Sequence, residues 1–275
     1  MGFSLLKTVD ILTSEQNPLV KRILRLQQKS RTRKKEGLFV VEGERELLRA
    51  VVNGYNITQL LLHQAQAENE LPAELIASNS EKVYLKDRLF DKISLRSGSE
   101  KVMGVVKAKT HDLGQLSWDT QGLYLLAEGI EKPGNLGALL RTAAGSGIAG
   151  VLLANCQTDI YNPHCIRNSL GGVFSLPIAV ATTEEIGAYL SKKNCPILAA
   201  TLHPKAKPYH QLPYTPPCAI AVGNEAEGLS DQLTQLAQQQ IVLPMQAPID
   251  SLNVSVAAGI LLYHALNQQK GGAHL

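Results

Sequence analysis

At 275 residues and 44% hydrophobic content, the chain holds enough apolar side chains to core two domains or one large one. No charged, apolar and small-residue run opens it, which predicts no secretory leader. Its four scattered cysteines (Cys156, Cys165, Cys195, Cys218) form no CxxC pair, which predicts free buried thiols, no metal site and a cytoplasmic location. The net charge of +3 is uneven: residues 1–110 hold 19 Lys/Arg against 13 Asp/Glu, residues 111–275 hold 8 against 11, so the first part is expected to meet a polyanion.

In chain order, residues 17–29 read as a helix. Asn17 suits the cap and Pro18 the first helical position, with Leu19, Ile23, Leu24 and Leu26 as the apolar stripe. The basic excess is densest here: Lys21, Arg22, Arg25, Lys29, Arg31, Arg33, Lys34 and Lys35 fall within fifteen residues with no acid among them. A solvated helix face running into a flexible loop is the bland reading, and a grip on nucleic-acid phosphates the functional one. Strands are predicted at 37–41, 57–62, 83–85 and 102–108, with helices at 44–52 and 86–93. That alternation is a small α/β domain over residues 1–110, followed by a linker at 111–121 rich in Thr, Asp, Gly and Ser.

From residue 122 the pattern becomes strand–helix repeats. Strands are expected at 123–127, 151–154, 177–180, 197–200, 219–222 and 241–243. Helices are expected at 136–145, 163–170, 183–192 (capped by Thr182 or Thr183) and 231–237. Such alternation predicts a parallel sheet covered on both faces. Gly145-Ser146-Gly147-Ile148-Ala149-Gly150 matches the dinucleotide pattern GxGxxG, but the order is helix, glycines, strand, so no helix start faces a ligand. A glycine helix cap and a tight turn explain it. Three loops follow strands and so belong to the ligand-binding edge of an open α/β sheet: 128–135, 223–230 and 244–251. In the second, Gly223 permits close backbone approach and Glu225 directly follows the strand, while Glu227 is assigned to the start of the next helix.

The last stretch has an extended piece, Ile241-Val242-Leu243-Pro244, and a loop with Pro248 and Asp250 as turn residues. It ends in a helix from Val254 to Leu266, capped by Ser251 or Asn253, that is apolar all round. A bilayer span needs roughly 20 apolar residues. This shorter helix is therefore expected to be buried by its own domain on one side and by a partner chain on the other.

Four stretches together resemble the SpoU/TrmH family of RNA 2′-O-ribose methyltransferases, of the SPOUT superfamily. KPGNLGALLRTAAGSG (132–147) resembles the family's first motif, with Lys132 where an acid is usual. GNEAEGLS (223–230) resembles the second. LPMQAPIDSLNVSVAAGILLY (243–263) resembles the third, with Ala247-Pro248 where glycine is frequent. NPHCIRNSLGGVFSLPI (162–178) resembles the segment that links them. Upstream, LFVVEGERELLRAVVNGYNITQLLL resembles the RNA-recognition domain that precedes the catalytic domain in such enzymes.

The resemblance implies an α/β catalytic domain over 122–275 tied in a deep trefoil knot, S-adenosylmethionine as methyl donor, a homodimer, and structured RNA, rRNA ahead of tRNA, as substrate. It implies Thr201, Gly223, Leu243, Met245 and Leu252 as cofactor contacts. Arg141 is the residue associated with catalysis, with Asn135, Glu225, Ser251 and Asn253 orienting it and the nucleotide. Because arginine stays protonated, stabilising the developing alkoxide or holding a phosphate suits Arg141 better than general-base work. Lys21, Arg22, Arg25, Arg31, Arg33, Lys34 and Lys35 would grip RNA. Two other classes remain open: a base-methylating enzyme of the same fold, and an RNA-binding protein without activity.

Overall fold

A computed structural model describes residues 11–66, 70–95, 100–246, 251–269 and 271. The turn expected at Pro248 and Asp250 and the Ala247-Pro248 departure lie outside the described residues. The chain forms two compact units. The first runs to Lys109 and takes in Tyr161–Pro163; the second comprises Thr110–Ile160 and the chain from His164 onward. Among the described residues, no helix is long and apolar enough to cross a membrane.

The elements of the first unit are β1 (Ile11–Leu12), α1 (Pro18–Gln28), α2 (Ser30–Glu36), β2 (Leu38–Glu42), α3 (Glu44–Val52), β3 (Ile57–His63), α4 (Ala73–Ile76), β4 (Glu81–Leu85), α5 (Asp87–Ile93) and β5 (Val102–Lys107). Its sheet runs β1-β4-β3-β5-β2, with β5 antiparallel to both neighbours and the other pairings parallel. Asn17 Oδ1 accepts from the Leu19 amide at 2.8 Å and Pro18 opens α1, as the sequence predicts. The buried stripe is Val20, Ile23 and Leu26, which join one core cluster with Leu38, Leu61 and Phe90; Leu19 and Leu24 flank it half-buried. The basic segment does not run into a loop. It continues as α2, which Gly37 closes in the left-handed region at φ 62°.

The second unit contains β6 (Leu123–Glu128), α6 (Pro133–Ser146), β7 (Gly150–Ala154), α7 (Pro163–Asn168), α8 (Gly172–Ser175), β8 (Ile178–Ala181), α9 (Thr183–Lys192), β9 (Ile197–Ala200), β10 (Lys207–Pro208), β11 (Cys218–Val222), α10 (Asp231–Leu236), β12 (Gln239–Val242) and α11 (Val254–Gln269). Seven parallel strands run in the order β10-β12-β9-β11-β6-β7-β8. The central strands LYLLAE, GVLLA and CAIAV are buried throughout, as strands covered on both faces must be. Within 111–121, Leu116 is buried and Trp118 stacks on Tyr124 at 4.4 Å, so this stretch packs onto the core.

Thr182, not Thr183, caps α9, through a reciprocal box with Glu185. The glycine-rich run at 145–150 is the end of α6, with Gly147 at φ 70°, and the start of β7; no helix begins there. The last helix, α11, packs against α6, β6 and β11. Only one side of it is buried within this chain: Val256, Ile260 and Tyr263 are 50%, 38% and 44% exposed.

Candidate active site

The carboxyl ends of β9, β11 and β12 open into one cavity of about 540 Å³, within the size range of small-molecule sites. Thr201, Gly223, Leu243, Met245 and Leu252 all line it, together with Glu225, Glu227 and Ser251. Sheet order explains the meeting. The strands before these loops are neighbours in the sheet, and loops leaving the carboxyl edge of neighbouring parallel strands share one crevice.

The loop 223–230 is wound tightly on itself. Asn224 Oδ1 accepts from the amides of Ala226 and Glu227 at 2.9 and 2.7 Å, and the Gly228 amide donates back to Asn224 O at 3.1 Å. Gly228 takes φ 72°. A Cβ on Gly223 would lie 2.0 Å from the backbone of Gly228, so only glycine fits where the loop closes. Glu227 stands in this loop, ahead of the Ser230 that caps α10. It lines the cavity and does not start the helix.

The mouth carries a polar cluster drawn from the first turn of α6, the loop 223–230 and the residue before α11. The Asn135 side-chain amide donates to Glu225 Oε1, and Asn253 Nδ2 donates to Asn135 Oδ1 at 3.3 Å. Asn253 Oδ1 also accepts from the Ser255 amide at 3.0 Å, so Asn253 is the residue that caps α11, and Ser251 is left at the cavity wall. Arg141 lies on α6 six residues beyond Asn135, about 9 Å along the helix axis. It is exposed, and among the described residues its side chain forms no hydrogen bond or ion pair. The geometry therefore unites Asn135, Glu225 and Asn253 but leaves Arg141 apart from them.

The basic residues of the first unit divide. Lys21, Arg25, Arg31, Lys34 and Lys35 are exposed. Arg22 pairs with Glu36 at 2.6 Å. Arg33 is only 4% exposed, and its guanidinium donates to the carbonyls of Leu26 and Gln27 at 2.6 and 3.1 Å, closing the end of α1. Expected as a phosphate contact, Arg33 is buried and caps α1 instead: its side chain supplies donors to carbonyls of the last turn that α1 itself leaves unsatisfied.

Glu128, at the end of β6, is 5% exposed and accepts hydrogen bonds from Thr183 and Ser230. Sequence reasoning missed it; the one signal was an acid closing an otherwise apolar strand. The four cysteines are free, and burial pushes Cys156 up to about 11 and Cys195 and Cys218 up to about 12, which suits inert packing groups. Among the described residues, no group of three or more His, Cys, Asp or Glu is placed to hold a metal ion.

Comparisons with known proteins match both units of the chain. Residues 17–104 match the model of the MRM3-like substrate binding domain. A solved RNA 2′-O ribose methyltransferase shares 37% identity, with a TM-score of 0.81 over 95% of this chain and all of that one. The AdoMet-bound rRNA methyltransferase of Sinorhizobium meliloti shares 29% identity, with a TM-score of 0.85 over 94% of this chain and 97% of its own. The 23S rRNA (uridine(2479)-2′-O)-methyltransferase of Streptomyces viridochromogenes is 27% identical over 87% of this chain and 86% of its length. The cavity, the glycine-closed loop and the Asn135–Glu225–Asn253 cluster all lie within residues 122–263, the span that matches the SpoU rRNA methylase model, and the chain belongs to that family.

Proposed function

We propose that the protein methylates a ribose 2′-hydroxyl of rRNA with S-adenosylmethionine as donor. The observation that carries this is the coincidence of five residues implied as cofactor contacts, Thr201, Gly223, Leu243, Met245 and Leu252, in one cavity whose mouth bears the Asn135–Glu225–Asn253 cluster. The residues fit the donor: the walls combine apolar side chains with a loop whose backbone comes close only because position 223 is glycine. When bound, S-adenosylmethionine supplies a methyl group already activated by its sulfonium, so the protein has to align and polarise the accepting oxygen. Leu243, Met245 and Leu252 bury the donor's apolar parts, and the carboxylates of Glu225 and Glu227 favour its positive charge. Asn135, held between Glu225 and Asn253, orients the ribose, with Ser251 at the wall beside them. Arg141 stabilises the negative charge that develops on the ribose oxygen or holds the neighbouring phosphate.

The exposed lysines and arginines of α1 and α2 hold RNA phosphates, and the residues up to about 110 serve as the RNA-binding domain. The open face of α11, carrying Val256, Ile260 and Tyr263, packs against a second copy of the chain. The knot belongs to the same reading. It is supported by the path of α11, which follows the outlying strand β12 yet packs back on β11, β6 and α6. A cytoplasmic location suits both an rRNA substrate and free thiols.

Radiolabelled methyl transfer from S-adenosylmethionine to rRNA tests the proposal. Label is expected in a nucleoside that protects its 3′ phosphodiester from alkaline hydrolysis, and Arg141→Ala is expected to abolish transfer while keeping donor affinity within a few fold. Label on a base would mean a base methylase; no transfer and no donor binding would mean an RNA-binding protein without activity.

A further inference from the structure

Glu128 is buried at the carboxyl end of the central strand β6, and no step above uses it. Its carboxylate offers only acceptors, and three donors converge on it. Oε1 accepts from Thr183 Oγ1 at 2.5 Å and from Ser230 Oγ at 2.8 Å, while Oε2 accepts from the Ser230 amide at 2.8 Å. Each partner is engaged further. Thr183 Oγ1 accepts from Asn155 Nδ2 at 2.9 Å, and Ser230 Oγ accepts from the Leu233 amide at 3.1 Å as the cap of α10. One carboxylate thus ties together the ends of β6 and β7, the start of α9 and the last residue of the loop 223–230.

The exposed tip of that loop, residues 225–228, is held from outside by the Asn135 side-chain amide on Glu225 Oε1, and Leu229 packs on the core; the internal hydrogen bonds fix the loop's shape but not its place. Its entry is set by Gly223 against Gly228, and its exit by the double hold of Glu128 on Ser230. The next residue, Gly129, turns the chain at φ 64°, and a Cβ there would lie 3.5 Å from Asn224 Nδ2, so the end of β6 meets the loop at both ends. We infer that Glu128 is a positioning residue that sets the loop 223–230 against the donor, acting through Ser230. The inference rests on the reading of the cavity as an S-adenosylmethionine site.

The two branches of the network separate positioning from mere stabilisation. Donor affinity is measured by calorimetry and stability by thermal scanning on the full-length wild type, E128Q, S230A, T183V and the double variant E128Q/S230A. S230A and E128Q are expected to weaken donor binding about tenfold, with the double variant no worse than E128Q because both remove one hold. T183V, which cuts only the other branch, is expected to lower the melting temperature and leave affinity within about twofold. Wild-type affinity in S230A, or equal weakening in T183V, would overturn the inference; if E128Q fails to fold, S230A and T183V decide alone. A wild type that binds no donor would instead remove the reading of the cavity, and the inference with it.

Discussion

Gly223 shows how much one hydrogen atom can decide. A methyl group there would sit 2.0 Å from the Gly228 backbone, and backbone cannot swing aside as a flexible side chain does. Gly223→Ala is therefore expected to displace the loop that carries Glu225. Overpacking of this kind costs about 1–3 kcal/mol, so a melting point several degrees lower should accompany a loss of donor binding greater than tenfold, read by scanning and titration calorimetry. The residue types were legible in the sequence: glycine, acid and asparagine in loops after strands. Which of two nearby candidates does what was not. Asn253 prevailed over Ser251 as the cap of α11, and Thr182 over Thr183 as the cap of α9, because the unused hydroxyl of each pair met another surface, the cavity wall for Ser251 and Glu128 for Thr183.

At the level of elements, α1 and α2 separate exposed charge from charge that builds the fold. Lys34 and Lys35 are exposed, so charge reversal at both is expected to weaken RNA binding and to flatten its salt dependence, by about one slope unit for each phosphate no longer neutralised. Arg33→Ala should behave oppositely. It leaves the Leu26 and Gln27 carbonyls without their donor, which lowers the melting temperature with little change in the salt slope. Filter binding across a salt series and thermal scanning separate the two outcomes. Helix α11 makes a similar division. Val254, Ala258, Leu261, Leu262 and Ala265 bury within the chain, while Val256, Ile260 and Tyr263 form an apolar strip facing outward. Ile260→Glu is expected to convert a dimer to monomer in light scattering with little change in monomer fold; a wild type that is already monomeric would refute the dimer.

Across the whole molecule, donor binding should stabilise the second unit, because its site is assembled from segments far apart in the chain. A ligand that binds only the folded state adds about 2.7 kcal/mol at one hundred times its dissociation constant. S-adenosylmethionine is accordingly expected to raise the melting temperature in a concentration-dependent way, and adenosine triphosphate at equal concentration is not. A shift with neither, or with both, would count against the assignment of the cavity.

Local pattern by itself determined the two α/β units, the parallel character of the second sheet, most element boundaries and the motifs that mark the family. Those depend on hydrophobic period, caps and glycine positions, which are written over a few consecutive residues. Tertiary structure alone decided the placement of the site. Asn135 meets Glu225 across 90 residues and Asn253 across 118, and their meeting follows from the strand order β12-β9-β11-β6, which no period in the sequence encodes. It also decided that Arg33 is buried, that the basic stretch folds into a second helix, and that Glu128 joins four elements, since each of these depends on which surface the neighbouring segment presents once the chain has packed.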